Sequence, residues 1–126
     1  MYDNDSGAKS IQKTIKNVSN VTLTGAEAFV HITKNLYAVP TPLAPGATSS
    51  KIEDFFDATI KATAIGGKTF NDRVGFDANK HYGKTIFAHK VIRPKANTID
   101  FTGFRPLLIN LTAAVNKHKA SVVAGP

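Results

Sequence analysis

The strongest constraint on the fold lies between residues 84 and 115, where two hydrophobic periods follow one another along the chain. Lys84 to Arg93 carries β-branched and aromatic residues on both parities without a breaker, which predicts a strand that ends at Pro94. After a short polar link, apolar residues recur with the spacing of one helical face. They are Phe104, Leu107, Leu108, Leu111, Ala114 and Val115. The pattern predicts a C-terminal helix that begins near Thr102 or Gly103, with Pro106 in its first turn.

The residues before this stretch predict more strands of the same sheet. From Ala58 to Ala64, small apolar residues alternate with polar ones, which is typical of a half-buried strand. Gly66-Gly67 predicts a two-residue hairpin turn, and Lys68 to Asp77 alternates again. Residues 55 to 93 are therefore predicted to form a three-stranded antiparallel meander, whose small-residue strand lies under the C-terminal helix.

Two further strands are predicted nearer the N-terminus. Val18 to Thr24 is interpreted as a strand, although Ile11 and Ile15 continue to Val18 with helical spacing. Ala28 to Val39 alternates and predicts a second strand that forms a hairpin with the first; a helix from Ala26 to Leu36 stays open as an alternative. The prolines from Pro40 to Pro45 predict a surface connection or a sheet edge. The resulting fold class is α+β, with an antiparallel meander of about five strands, an N-terminal hairpin and a C-terminal helix.

Length and composition predict one globular domain, residues 1–126. The chain is 42% hydrophobic and 20% charged, so wholesale disorder is not expected. It lacks cysteine, which excludes disulfides and thiolate metal sites. No apolar run approaches the roughly 18 residues of a membrane span, and the first five residues are polar and acidic. We therefore expect a protein that is made and used in a cytoplasm, with no membrane partner.

The charge favours a polyanionic partner. Sixteen Lys and Arg residues oppose nine Asp and Glu residues, for a net charge of +7 and a pI near 9.8. Such an excess favours nucleic acid. The lysines are spread from Lys9 to Lys119, which indicates a folded cationic face and not a disordered basic arm. A lysine-rich surface without any ligand is the alternative.

No motif for catalysis, a metal or a cofactor is present. The four histidines show no metal-ligand spacing. The acidic residues Glu53, Asp54 and Asp57 are interpreted as a helix start or a turn and not as a hydrolytic pair. We therefore predict that the protein is not an enzyme and holds no cofactor.

The predicted binding surface is the polar face of the sheet. Hydroxyl and cationic side chains would lie on neighbouring strands there, where they can meet phosphates and exposed bases. The candidate nucleic-acid-binding residues are Thr59, Lys61, Thr63, Arg73 and Lys90. His89 and Lys90 would point to opposite faces of their strand, so only one of them can join the set. A solvent-facing sheet without a ligand is the alternative.

The last third of the chain resembles the coat proteins of single-stranded RNA bacteriophages. The segment Lys84-Thr-Ile-Phe-Ala-His-Lys-Val-Ile-Arg-Pro-Lys95 is similar to the strand that precedes their helical part. The segment Phe104-Arg-Pro-Leu-Leu-Ile-Asn-Leu-Thr-Ala-Ala-Val115 contains the helical pattern R-x-L-x-x-x-L. Between the two lies a link that contains asparagine and threonine, as in that family.

The resemblance implies a capsid subunit. In that family, two chains intertwine so that their sheets join edge to edge and each helical part crosses the partner's sheet. Dimers then self-assemble into an icosahedral virion with the inner sheet face toward genomic RNA. For this chain, the resemblance implies a homodimer that assembles into virus-like particles in the host cytoplasm.

A small protein that binds single-stranded nucleic acid is the rival hypothesis. It would have an OB-like barrel with aromatic stacking platforms at Phe70, Phe76 and Phe87. An enzyme comes third.

Overall fold

The N-terminal part of the chain forms a helix that extends into the start of a predicted strand. A computed structural model describes residues 1–125 and shows a helix over Ala8–Ser19. It ends at Asn20, which adopts left-handed geometry (φ 58°) and donates its N–H to the carbonyl of Lys16 at 2.9 Å. The predicted strand Val18 to Thr24 is therefore wrong: Val18 and Ser19 belong to the helix, Asn20 ends it in the left-handed conformation that asparagine tolerates, and residues 21–24 form no strand.

The first hairpin lies within a segment that was predicted as one strand. Strands Val30–Thr33 and Leu36–Ala38 pair antiparallel across a turn in which Lys34 has φ 48°. The His31 ring Nε2 lies 2.8 Å from the Lys34 carbonyl oxygen. In one continuous strand, Leu36 and Ala38 would lie on the same face. The turn breaks this alternation, since Ala38 is buried while Leu36 is half exposed.

The chain is divided into two compact units. The first comprises Met1–Phe55 together with the residues from Phe104 onward, and the second comprises Phe56–Gly103. In the first unit, Ile15 packs with Val30 and Ala38, while Val39 packs with Leu107 and Ala114 of the C-terminal helix.

A buried polar cluster fixes the start of the chain in the first unit. Asn4 and Ser50 exchange backbone hydrogen bonds of 2.9 and 2.8 Å, and the Thr41 and Ser50 hydroxyl oxygens lie 2.7 Å apart. The Asn4 amide donates to the Gly25 carbonyl at 2.6 Å. Pro40 and Thr41 are buried, so the predicted surface position is wrong for the start of the proline-rich segment, whereas residues 44–46 are exposed.

The second unit contains short elements around an aromatic core. It consists of a helical turn Ala58–Lys61, two-residue strands Thr69–Phe70 and His81–Tyr82 that pair in parallel, and a helical segment from Lys84 to Lys95. Its buried residues are Tyr82, Phe87 and Val91. Phe70 stacks on Phe87 with ring centroids 4.2 Å apart, and Phe56 meets Phe87 edge to face at 5.5 Å.

The predicted five-stranded meander is wrong. The structure is α+β, but its named strands form only two separate sheets of two strands each among residues 1–125. Asp57 caps a helical turn by accepting the Thr59 N–H at 2.6 Å, so residues 58–61 do not form the small-residue strand. The Gly66-Gly67 turn is present, with both φ angles positive and Ile65 bridged to Lys68, but it joins no long strands. The OB-like barrel is contradicted for the same reason.

The segment predicted as the last strand is helical. It begins with an α-helical turn Lys84–Ile86, continues as a π-helix Phe87–Ile92, and ends as an α-helical turn Arg93–Lys95. Phe87 and Val91 are buried four residues apart, which is helical spacing. We call Lys84–Lys95 the basic helix.

The C-terminal helix extends over Arg105–Val123, after a 3₁₀ turn Thr102–Phe104, with Pro106 in its first turn as predicted. The predicted apolar face is divided in the structure. Leu107 and Ala114 are buried, whereas Leu108 and Val115 are more than half exposed. The helix also includes most of the predicted apolar tail, of which Pro126 lies outside the described residues. In the described part of the chain, no helix combines the length and the apolar character needed to cross a bilayer.

Candidate nucleic-acid interface

The basic helix carries cations and no carboxylates. Lys84, Lys90, Arg93 and Lys95 are all exposed, as is His89. No Asp or Glu occurs between Asp77 and Asp100. A helix with this composition presents a cationic surface to the solvent, which is the electrostatic requirement for contacts with a phosphate backbone.

Packing determines which side of the basic helix faces the solvent. Phe87 and Val91 are 2% and 0% exposed and fix one side of the helix in the core of the second unit. His89 and Arg93 lie two residues beyond these anchors and four residues from each other, so they share the opposite side. Lys90 is next to them and exposed.

The π-helical turn lies at the centre of this surface. The Arg93 N–H donates to the carbonyl of Ala88, five residues earlier, in place of the usual four. Pro94 follows directly, and its nitrogen has no hydrogen to donate. π-helical turns are rare in proteins, and those that occur are often at functional sites. This geometry therefore supports the basic helix as the candidate interface.

Cations elsewhere in the second unit have local partners. Arg73 lies 3.8 Å from Asp72, Lys80 lies 3.8 Å from Asp77, and the Lys68 ammonium donates to the Ala78 carbonyl at 2.6 Å. Within residues 1–125, the side chains of Lys90, Arg93 and Lys95 form no hydrogen bond or ion pair. The unit has eight Lys and Arg residues against four Asp residues, so its excess of four positive charges equals the charge of the basic helix.

Two carboxylates of the second unit accept hydrogen bonds from threonines. Hydrogen bonds from the Thr59 hydroxyl and N–H lower the pKa of Asp57, and the equivalent groups of Thr102 lower the pKa of Asp100. Both carboxylates are therefore ionised at neutral pH and bonded to neutral donors. They do not neutralise the basic helix through a direct contact.

The first unit carries a second basic surface on the N-terminal helix. Lys9, Lys13 and Lys16 follow the i, i+4, i+7 spacing of one helical face and are exposed. The helix has no Asp or Glu, and Ile15 is buried on its apolar side. This is a separate surface with the same charge sign.

The five residues predicted as a binding set are distributed over different elements. Thr59 and Lys61 lie on the helical turn Ala58–Lys61, and the Thr63 carbonyl accepts the Tyr82 hydroxyl. Arg73 lies in the loop after Thr69–Phe70 and contacts Asp72. Of the five, Lys90 lies on the basic helix. The polar sheet face that was to unite them does not exist, because residues 58–61 and 84–95 are helical.

Sequence reasoning missed Arg93, Lys95 and the three lysines of the N-terminal helix. A signal was available for both groups. The segment between Asp77 and Asp100 has five Lys and Arg residues and no acid, and Lys9, Lys13 and Lys16 have helical spacing.

No protein-family model and no solved structure matches the chain. In the part of the chain that the structure describes, no group of three or more His, Cys, Asp or Glu residues is placed to hold a metal ion. Function is therefore inferred from the charge, exposure and packing of the residues described above.

Proposed function

We propose that the protein is a coat-type structural subunit that binds RNA through its basic helix and associates with copies of itself. The observation that carries the proposal is the exposed run of cations on Lys84–Lys95, without a carboxylate and with three side chains that form no ion pair in residues 1–125. Such a protein would be found in a virion assembled in the host cytoplasm.

Electrostatic attraction supplies the affinity in this proposal. Each phosphate contact releases condensed counterions, so log K falls with log salt concentration by about 0.7 per contact for a single strand. Three or four contacts from the basic helix would give a slope of about −2 to −3. Binding of this kind depends little on sequence, which suits a protein that covers a whole genome.

Self-association is supported by the C-terminal helix. Leu108, Ile109 and Val115 are 57%, 58% and 53% exposed. No charged residue occurs between Arg105 and Lys117. Exposed apolar side chains on an uncharged helical surface favour a contact with another protein, and most soluble oligomers consist of identical chains. The edge-to-edge joining of sheets that the resemblance implied is not proposed, because the large sheet is absent.

The test is the size and nucleic-acid content of the purified protein. Size-exclusion chromatography with light scattering, together with the ratio of absorbance at 260 and 280 nm, should show megadalton particles that contain nucleic acid. Digestion with RNase and with DNase should identify that nucleic acid as RNA. A small species that binds no RNA at low salt would overturn the proposal. A small species that does bind RNA would favour the alternative of a small nucleic-acid-binding protein that does not assemble into particles.

A charge variant tests the role of the basic helix. Lys90→Gln combined with Arg93→Gln should lower the salt slope by about 1.4, because two phosphate contacts are lost. The control is Lys34→Gln combined with Lys80→Gln, which removes the same charge from exposed residues outside the basic helix. Equal effects of the two pairs would show that net charge, and not the basic helix, is responsible.

A further inference from the structure

A loop in the second unit carries a half-exposed aromatic residue. It connects strands Thr69–Phe70 and His81–Tyr82, and Phe76 within it is 51% exposed. Local hydrogen bonds hold the loop in shape. The Arg73 N–H donates to the Asn71 side chain at 2.8 Å, and the Asp77 N–H donates to His81 Nδ1 at 2.9 Å.

The ring of Phe76 lies at the start of the basic helix. Its centroid is 5.9 Å from that of the His81 ring. A Cβ atom on Gly83 would lie 3.9 Å from Phe76 Cε2, in ordinary van der Waals contact. Gly83 directly precedes Lys84, so the half-exposed aromatic ring and the cationic surface are adjacent parts of one unit.

The rings of Phe56, Phe70, Tyr82 and Phe87 belong to the core of the second unit, whereas Phe101 is 42% exposed and packs on Phe56. Phe70 and Phe87 stack on each other, so two of the three rings named as stacking platforms in the barrel hypothesis face the protein interior. Phe56 packs edge to face on both Phe87 and Phe101. Phe76 is half exposed in spite of its apolar character and lies next to a surface that attracts phosphates. This combination is typical of sites that stack an unpaired base.

We infer that the nucleic acid on this surface is single-stranded, with one base stacked on Phe76 and the following phosphates held by Lys90 and Arg93. This inference rests on the proposed function and adds the substrate class. Gly83 and Arg93 are ten residues apart, roughly 15 Å at the rise of an α-helix, so the ring and the cations can contact successive nucleotides of one strand. A duplex would offer its phosphates to the cations, but its bases are paired and stacked and cannot reach the ring.

The test compares two RNA probes of equal length. Fluorescence anisotropy at constant low salt should give tighter binding of a fluorescein-labelled 12-mer of uridine than of a 12-base-pair RNA duplex. Phe76→Ala should weaken binding of the single strand by roughly 5- to 150-fold, the range expected for one stacked base, and leave duplex binding unchanged. Phe76→Trp should retain binding of the single strand, because it keeps an aromatic face.

Two further variants separate stacking from loop structure. Phe76→Leu keeps an apolar contact with His81 and Gly83 but removes the aromatic face, so it should behave like Phe76→Ala. Val74→Ala alters a fully exposed residue of the same loop and should change neither affinity. Circular dichroism and thermal melting of each variant would verify that the fold is retained.

The measurements distinguish failure of the proposed function from failure of the single-strand inference. If the wild-type protein binds neither probe, the proposed function fails. If it binds both probes equally well, and Phe76→Ala has no effect or weakens both alike, the single-strand inference fails while RNA binding stands. A strong effect of Val74→Ala alone would also refute the role of the ring.

Discussion

Replacing Phe87 by alanine should unfold the second unit, because that side chain fixes the basic helix to its core. Phe87 is 2% exposed, stacks on Phe70 and meets Phe56 edge to face. Loss of a buried phenylalanine costs about 3–5 kcal/mol, and aromatic pairs contribute about 0.5–1.5 kcal/mol each, so we expect about 4 kcal/mol here. A unit of 48 residues has a total stability of about 2–7 kcal/mol. The substitution should therefore remove most of it.

The neighbouring residue provides a matched control. Ile86 is 44% exposed, so Ile86→Ala should cost less than about 1 kcal/mol. Ile86 and Phe87 are adjacent residues of one segment, so the comparison separates the loss of a buried core side chain from the loss of a partly exposed one.

Urea denaturation combined with hydrogen exchange can measure both effects. Exchange followed by mass spectrometry reports on peptides from residues 84–95 separately from the rest of the chain. Phe87→Ala should abolish protection of the basic helix, whereas Ile86→Ala should keep it nearly at the wild-type level. A loss below about 1 kcal/mol for Phe87→Ala, or an equal loss for Ile86→Ala, would refute the packing described for this unit.

Two other predictions concern the first unit. Glu27 accepts the Thr24 N–H and hydroxyl, each at 2.7 Å, and the Gly25 N–H at 2.9 Å. Burial raises the pKa of the Glu27 carboxyl, but these hydrogen bonds outweigh burial, so the pKa is lowered overall. Because the pKa in the folded state lies below that in the unfolded state, the contribution to stability is present above the unfolded pKa and is lost as the pH falls through the folded pKa. Glu27→Gln should thus lower the unfolding free energy by about 1 kcal/mol at pH 7, after allowance for solvent screening. It should also reduce the loss of unfolding free energy as the pH falls, and an unchanged acid dependence would contradict this. Leu108→Asp should convert assembled particles into small species in light scattering, whereas Ala120→Asp, the same charge at another exposed residue of that helix, should not; particles that persist in Leu108→Asp would exclude this helix as the contact.

The parts of the fold that were predictable from sequence are those with one dominant local signal. The C-terminal helix has a long apolar period and a proline in its first turn, so both its existence and its start near residue 103 could be inferred. Gly66-Gly67 demands positive φ angles, and the turn is present. In both cases the local chemistry favours one backbone conformation over all others.

The segments that were predicted wrongly are short and have mixed signals. Residues 84–95 contain β-branched and aromatic side chains with strand propensity, but Phe87 and Val91 are also spaced for a helical face. Contacts with Phe70 and Phe56, which are distant in sequence, select the helix. Propensity differences of well under 1 kcal/mol per residue cannot compete with the burial of an aromatic core. Lys90 was placed in the interface because a lysine is exposed in either conformation.

The difference between strand and helix decides how many cations one nucleic-acid strand can meet. In a strand, successive side chains alternate between faces, so Lys84 and Lys90 would point one way and Arg93 and Lys95 the other. At most two of the four could then contact the same phosphate backbone. In the helix, Phe87 and Val91 occupy the buried side and all four cations are exposed, with His89 and Arg93 one turn apart. The helical packing of a segment whose composition favours a strand therefore leaves Lys90 and Arg93 exposed within one turn of each other.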